Sequence, residues 1–315
     1  MKGDGPVLAL SGGVGGAKLA LGLHRILPPD TLTIIANTGD DFEHLGLTIC
    51  PDLDTLLYTL SDGSNPELGW GRRDETWTFM AALEKLGGET WFKLGDGDLA
   101  THVERTRRLA AGEPLSAIID DFRQRLRIVA RILPMSDDKV RTRLDTDRGR
   151  LDFQDYFVRL RCEPVVRTFE FVGSETSRPH PCFLAALANP DLRAVVICPS
   201  NPFISIDPIL AVPNVREALC DCRAPVVAVS PIIGGKAVKG PTAKMMEELG
   251  LPVDAAAVAR HYHDFLDGYI ADEADDGTVG ALDLPVELTS TLMVTLEDRE
   301  NLARTVLAAA DRVRR

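Results

Sequence analysis

Short apolar runs alternate with longer stretches of helical spacing along most of this chain. Residues 7–10, 32–36, 194–198 and 225–229 are almost unbroken apolar runs, the pattern of strands buried on both faces. Residues 17–26, 50–60, 75–86, 99–111, 114–126, 214–222, 242–249, 253–266 and 296–313 carry apolar residues at helical spacing, and a further helix falls within 177–189. Pro51 and Asp52 open the helix that runs to Leu60, with Asp52 as its expected cap, and Asp98 is the expected cap of 99–111. Residues 91–94 and 127–133 read as extended. Residues 140–143 and 151–160 read as a hairpin about the turn 147–149, and 165–172 as a further strand. The alternation predicts an α/β fold with a mostly parallel sheet and helices on both faces. The middle, about residues 97–175, has an α+β texture and reads as a smaller subdomain on one large domain spanning 1–315.

Composition narrows the classes. At 315 residues and 45% hydrophobic content the chain can bury a large core. Its net charge of −12, without a Lys/Arg-rich block, argues against a nucleic acid partner. The cysteines at 50, 162, 182, 198, 220 and 222 form no C-x-x-C pair and read as reduced thiols of a cytoplasmic protein. No apolar stretch is long enough to span a membrane, and the first apolar run is too short and glycine-broken for a secretory signal.

The polar residues gather after the apolar runs. SGGVGG, NTGDD, LGDGD, MSDD, CPSNP and SPIIGG each follow a stretch read as extended, and ligands of parallel sheets sit beyond the carboxyl ends of strands. Any one cluster is explained as a turn; six at one address argue for a composite site. The first, with Gly12, Gly13, Gly15, Gly16 and then Lys18, lies between a strand and a helix, where backbone N–H groups and the helix dipole favour an anion. It is neither common phosphate loop. Walker A needs Gly-Lys followed by Ser or Thr, and the dinucleotide fingerprint would need glycine at Lys18. Asp40, Asp41, Asp52, Asp54, Asp96, Asp98, Asp137 and Asp138 lie in or beside these clusters. Such a ring repels a phosphate unless a hard cation intervenes, which points to Mg²⁺ held by one or two carboxylates, with Asp54 and Asp40 as the expected ligands. No Ser-His-Asp arrangement or G-x-S-x-G elbow is present. Phosphoryl chemistry needs mainly positioning and charge neutralisation, for which Lys18 and Lys93 are available.

Taken in order, SGGVGGAKL, NTGDD, PDLDTLLY (51–58), KLGDGDLATH (93–102), ILPMSDD (132–138), FQDYFV (153–158), CPSNPFISIDPIL (198–210) and VVAVSPIIGG (226–235) resemble the 2-phospho-L-lactate transferases of coenzyme F-420 biosynthesis over nearly the whole chain. The resemblance implies a Rossmann-like fold and a Mg²⁺-dependent transfer. The terminal ribityl hydroxyl of the deazaflavin FO attacks a phosphorus of a guanosine-diphosphate-linked carboxylic acid, and GMP leaves. It implies FO contacts at Asp54 and Lys93, with Asp54 the catalytic residue. It places the guanosine nucleotide over Gly12, Gly13, Gly15, Gly16, Lys18, Asn37, Ser136, Asp137, Ser200 and Asn201. A homodimer is common among such relatives. Archaeal relatives read GGTG in the first loop where this chain has Val14, and the acid (lactate, enolpyruvate or glycerate) stays open. The alternative is a non-catalytic nucleotide-sugar-binding regulator of the related gluconeogenesis-factor family, which shares the glycine loop and NTGDD. The lysine of KLGD and the PSNP and SPIIGG segments favour the enzyme.

Overall fold

The computed structural model describes residues 5–65 and 70–313. Its strands are β1 (Val7–Ser11), β2 (Leu32–Ala36), β3 (Phe42–His44), β4 (Leu47–Ile49), β5 (Arg131–Pro134), β6 (Arg141–Thr146), β7 (Gly149–Asp152), β8 (Val166–Val172), β9 (Ala194–Ile197), β10 (Val226–Val229), β11 (Ile232–Ile233), β12 (Lys236–Ala237), β13 (Gly268–Asp272) and β14 (Val286–Thr289). Seven of them form one parallel sheet in the order β14-β13-β10-β9-β1-β2-β5. The others make small antiparallel sheets: β3 with β4, β11 with β12, and β7-β6-β8.

The central strands are apolar at every position because both faces are covered. Leu8 and Leu10 enter one core with Ile35, Val195 and Ile197. Val7 and Ala9 point the other way, into a core with Ile34, Val196, Leu53 and Leu302. On that second face lie α1 (Gly13–Ile26), α2 (Pro51–Leu60) and the C-terminal helix Leu296–Arg312. The first face is covered by helices Pro181–Leu187, Val215–Cys220 and Ala255–His261 and by the β7-β6-β8 sheet. The expected Rossmann-like architecture with helices on both faces is what the chain forms.

Several local expectations are corrected. Residues 91–94 form no strand; Trp91 and Phe92 are a bend. Only the first part of 151–160 is a strand; from Asp155 to Arg159 the chain winds into a π-helical turn. β13 and β14 lie outside the predicted strands, since β13 is a brief run ending in Asp272 and β14 (VELT) carries polar residues along an edge. The stretch 97–175 is shared between two units: β5 is the edge strand of the main sheet, whereas β6, β7 and β8 form the separate small sheet.

Helix starts also differ from expectation, because carboxylates distant in sequence supply the caps. Three further helices are α3 (Thr78–Lys85), α4 (Asp96–Ala110) and α5 (Leu115–Arg125). Asp52 does not cap its own helix; its Oδ1 accepts the Gly13 N–H at 2.7 Å, at the start of α1. Asp98 does not cap α4; Glu75 accepts from the N–H groups of Gly97 and Asp98, at 2.7 and 2.8 Å. Asp96 accepts from Thr78 and Phe79 at the start of α3, and Asp137 from Ser116 at the start of α5. Each carboxylate satisfies helix N–H groups that have no partner within the helix.

Candidate active site

The strand order reverses direction between β1 and β9, and a cleft of about 930 Å³ opens there beyond the strand ends. Gly12 to Gly15 line its floor and Pro199 to Asn201 the adjoining edge. The two loops are locked together. Ser200 Oγ accepts the Gly12 N–H at 3.2 Å and donates to the Gly12 carbonyl at 2.8 Å. A Cβ on Gly15 would lie 2.4 Å from the Pro199 carbonyl oxygen, so only glycine permits this approach. Helix α1 starts inside the loop, at Gly13, whose φ is +66°. The N–H groups of Val14 and Gly15, in the first turn of α1, have no acceptor among the described residues, which leaves the positive end of α1 open beside the cleft.

Two buried carboxylates, Asp40 and Asp52, line the cleft beside this helix start. Asp52 is held by Gly13 and by Asn37, whose Nδ2 donates to Oδ2 at 2.9 Å. Asp40 Oδ1 is buried with no hydrogen-bond partner among the described residues. Burial raises both carboxyls above the ordinary range, and Asp52 adds to the rise at Asp40. A cation between them would relieve both burdens, so the pair fits a hard divalent ion.

A second charged group closes the cleft between α2 and α4. Arg105, fully buried, donates to Asp54 through Nη1 at 2.6 Å and Nη2 at 2.9 Å, and to the Thr48 carbonyl through Nε and Nη2. Its Nη2 also lies 2.7 Å from His102 Nδ1. A guanidinium can only donate, so Nδ1 accepts and the neutral ring carries its proton on Nε2. That nitrogen is 3.1 Å from Asp98 Oδ2, and Asp98 Oδ1 accepts the Tyr58 hydroxyl at 2.5 Å. Burial would raise the Asp98 carboxyl, but His102, Tyr58 and Arg105 together hold it below its usual value. Asp54, Asp98 and His102 are close enough to share a metal ion. The Arg105 guanidinium, bonded to two of the three, opposes that use.

The rest of the lining is largely apolar and includes Trp70, Trp91, Phe92, Phe153, Phe157, Pro231 and Ile233. His44 and Phe92 pack edge-on against the Trp91 ring, at centroid distances of 5.0 and 5.8 Å. The cations at the lining are Lys18, Lys93, Arg161 and Lys239. Lys18 Nζ donates to the Met293 carbonyl at 2.7 Å, and burial, then Arg299 and Lys239, lower its pKa.

The sequence profile described as 2-phospho-L-lactate transferase CofD matches residues 7–303. The chain belongs to this transferase family. It is similar to a phosphoenolpyruvate transferase of Kitasatospora aureofaciens, with 43% identity over 318 aligned positions covering 98% of each chain. A phosphoenolpyruvate transferase of Streptomyces coelicolor is 42% identical, covering 98% of this chain and 99% of that one. A solved UPF0052-family protein of Bacillus halodurans has the same fold, with a TM-score of 0.65 over 96% of this chain and 99% of that one, at 15% identity. The class expected from the motifs, a transferase of coenzyme F-420 biosynthesis, therefore stands.

Of the site residues expected from the sequence, Gly12, Gly13, Gly15, Lys18, Asp40, Asp54, Lys93, Ser200 and Asn201 line one cleft. Gly16 and Asn37 lie just beneath it: a Cβ on Gly16 would meet Ser11 and Ser200 Oγ, and Asn37 holds Asp52 in place. Ser136 and Asp137 are outside the lining. Ser136 donates to the Arg178 carbonyl, and Asp137 is engaged at α5. Asp54 lies in the first turn of α2, and Arg105 holds both its oxygens. Arg105 was not legible as a functional residue. One signal was available: positions 98, 102 and 105 fall on one face of a helix.

Proposed function

We propose that this transferase moves the phosphoenolpyruvate moiety from a guanosine-diphosphate-linked donor to FO in the cytoplasm, releasing GMP and forming dehydro-F-420-0. The choice of enolpyruvate rests on the names of relatives that are similar over nearly their full length. One structural observation carries the reading: the open start of α1 and the Asp40–Asp52 pair face the same cleft at the strand-order reversal.

The unpaired N–H groups of Val14 and Gly15 and the cation Lys18 receive the diphosphate. Asp40, with its unpartnered oxygen, and Asp52 hold Mg²⁺ in this reading, in place of Asp54. When bound, the ion supplies neutralisation of phosphate charge. The apolar end with Trp91 and Phe92 takes the deazaflavin ring, and Lys93, exposed at that end, meets its polar edge. Asp54, fixed by Arg105, keeps lone pairs for the ribityl hydroxyl; it orients that oxygen and accepts its proton as the new P–O bond forms and the bond to GMP breaks. Two copies of the chain pair as a homodimer.

Incubation of the purified protein with FO, Mg²⁺ and each guanylylated acid, followed by mass spectrometry, tests the reading. Dehydro-F-420-0 and GMP from the enolpyruvyl donor are expected. Product only from the lactyl or glyceryl donor would reassign the acid, and no product from any donor would contradict the proposal.

A further inference from the structure

The π-helical turn Asp155–Arg159 begins in the FQDYFV stretch (153–158), to which the proposed chemistry gives no task. Its wall reaches the reaction centre directly: Gln154 Nε2 lies 3.4 Å from the Asp40 carbonyl, and Phe153 stacks on Phe157 at 5.3 Å along the cleft. After the turn, Arg161 and Cys162 are both left-handed, with φ of +51° and +58°. Such a backbone costs about 1–2 kcal/mol for each residue that has a Cβ. The turn is pinned from below by buried Tyr156, whose carbonyl accepts the Cys162 N–H at 2.9 Å. The result is an arginine on the cleft lining, on the same wall as Gln154.

The charges nearby make Arg161 distinct. Arg159 pairs with Asp155 at 3.1 Å, and Arg148 with Glu163 at 3.2 Å. Arg161 has no ion-pair or hydrogen-bond partner among the described residues, although carboxylates stand on both sides of it in sequence. Lys18 is tied to a carbonyl at the start of α1, Lys93 sits with Trp91 and Phe92, and Lys239 lies in the loop after β12. Of the lining cations, Arg161 stands on the wall bonded to the Asp40 loop and is unpaired.

The geometry points to Arg161 as the residue that reads the carboxylate of the transferred phospho-acid, an inference that rests on the proposed transferase reaction. The carboxylate of a 2-phospho acid is joined through a single carbon to the oxygen on the transferred phosphorus, so it must lie beside the Asp40–Asp52 end of the cleft. A guanidinium presents two parallel N–H donors that match a carboxylate, and a planar enolpyruvate carboxylate suits that fork. Lactate, enolpyruvate and glycerate share this group, so Arg161 selects for an α-carboxylate, not for one acid among the three.

Calorimetric titration of wild type, Arg161→Gln and Arg161→Lys, without FO, tests this with two ligands: GDP and the intact enolpyruvyl guanylylated donor. The expected result is unchanged GDP affinity in all three, with donor affinity reduced about ten- to a hundredfold in Arg161→Gln and less in Arg161→Lys. Equal effects of Arg161→Gln on both ligands, or no effect on either, would overturn the inference while leaving the transferase reading intact. Wild-type protein that binds neither ligand would overturn both. Melting temperature is the control for folding, since Arg161 is exposed.

Discussion

Asp54 and Arg105 stand or fall together. Asp54→Ala leaves a fully buried guanidinium without its carboxylate, at a cost of about 3–5 kcal/mol. The variant should lose turnover by about a hundredfold or more if Asp54 takes the hydroxyl proton, and its melting temperature should fall as well. Kinetics paired with a thermal melt check both; full stability would show that Arg105 finds another counter-charge. Lys93→Ala is the contrasting case. Lys93 is exposed and has no ion-pair partner among the described residues, so the melt should not change while the KM for FO rises. An equal rise in KM for the guanylylated donor would remove Lys93 from the acceptor end. Both residues were legible, because PDLD and KLGD carried them over from the family. Arg105 stood among other arginines on α4; its spacing from Asp98 and His102 was the one signal in the sequence, and its packing under Thr48 and Asp54 is what singles it out.

Among the elements, the central strands and most helices follow from apolar spacing, while the starts of α1, α3, α4 and α5 do not. The sequence rule looks for a cap within a residue or two of the helix. This protein caps α1 with Asp52, α3 with Asp96, α4 with Glu75 and α5 with Asp137. Asp96 and Asp137 of the strand-end ring are therefore structural, and the proposed metal site falls to Asp40 and to Asp52, which caps α1 and still lines the cleft. β14 escaped notice because an edge strand is covered less and tolerates Glu287 and Thr289. The glycine loop serves packing as well as a ligand. Gly15→Ala should destabilise the protein by about 1–3 kcal/mol through the clash with the Pro199 carbonyl, as read from urea unfolding without ligand. Unchanged stability with lost GDP binding would assign the glycine to the ligand alone.

Across the whole molecule, the reversal of strand order fixes where every polar loop can meet, and the parallel sheet makes one cleft of most of them. The tryptophans cluster there too. Trp70 and Trp91 line the cleft and Trp77 packs edge-on against Trp70 at 6.3 Å, so all 3 are placed to report on an aromatic acceptor. FO binding should quench most of the intrinsic emission, and Trp91→Phe should remove much of that change; quenching unaltered in Trp91→Phe would place the deazaflavin elsewhere. The reaction itself gives the most direct test. Purified protein is mixed with FO, Mg²⁺ and the enolpyruvyl guanylylated donor, and products are followed by mass spectrometry, in parallel with Asp40→Asn. The expected result is dehydro-F-420-0 and GMP in equal amounts from wild type, with none above background from the variant. Equal turnover by Asp40→Asn, or GMP released without a deazaflavin product, would contradict a metal-assisted transfer at the Asp40–Asp52 cleft.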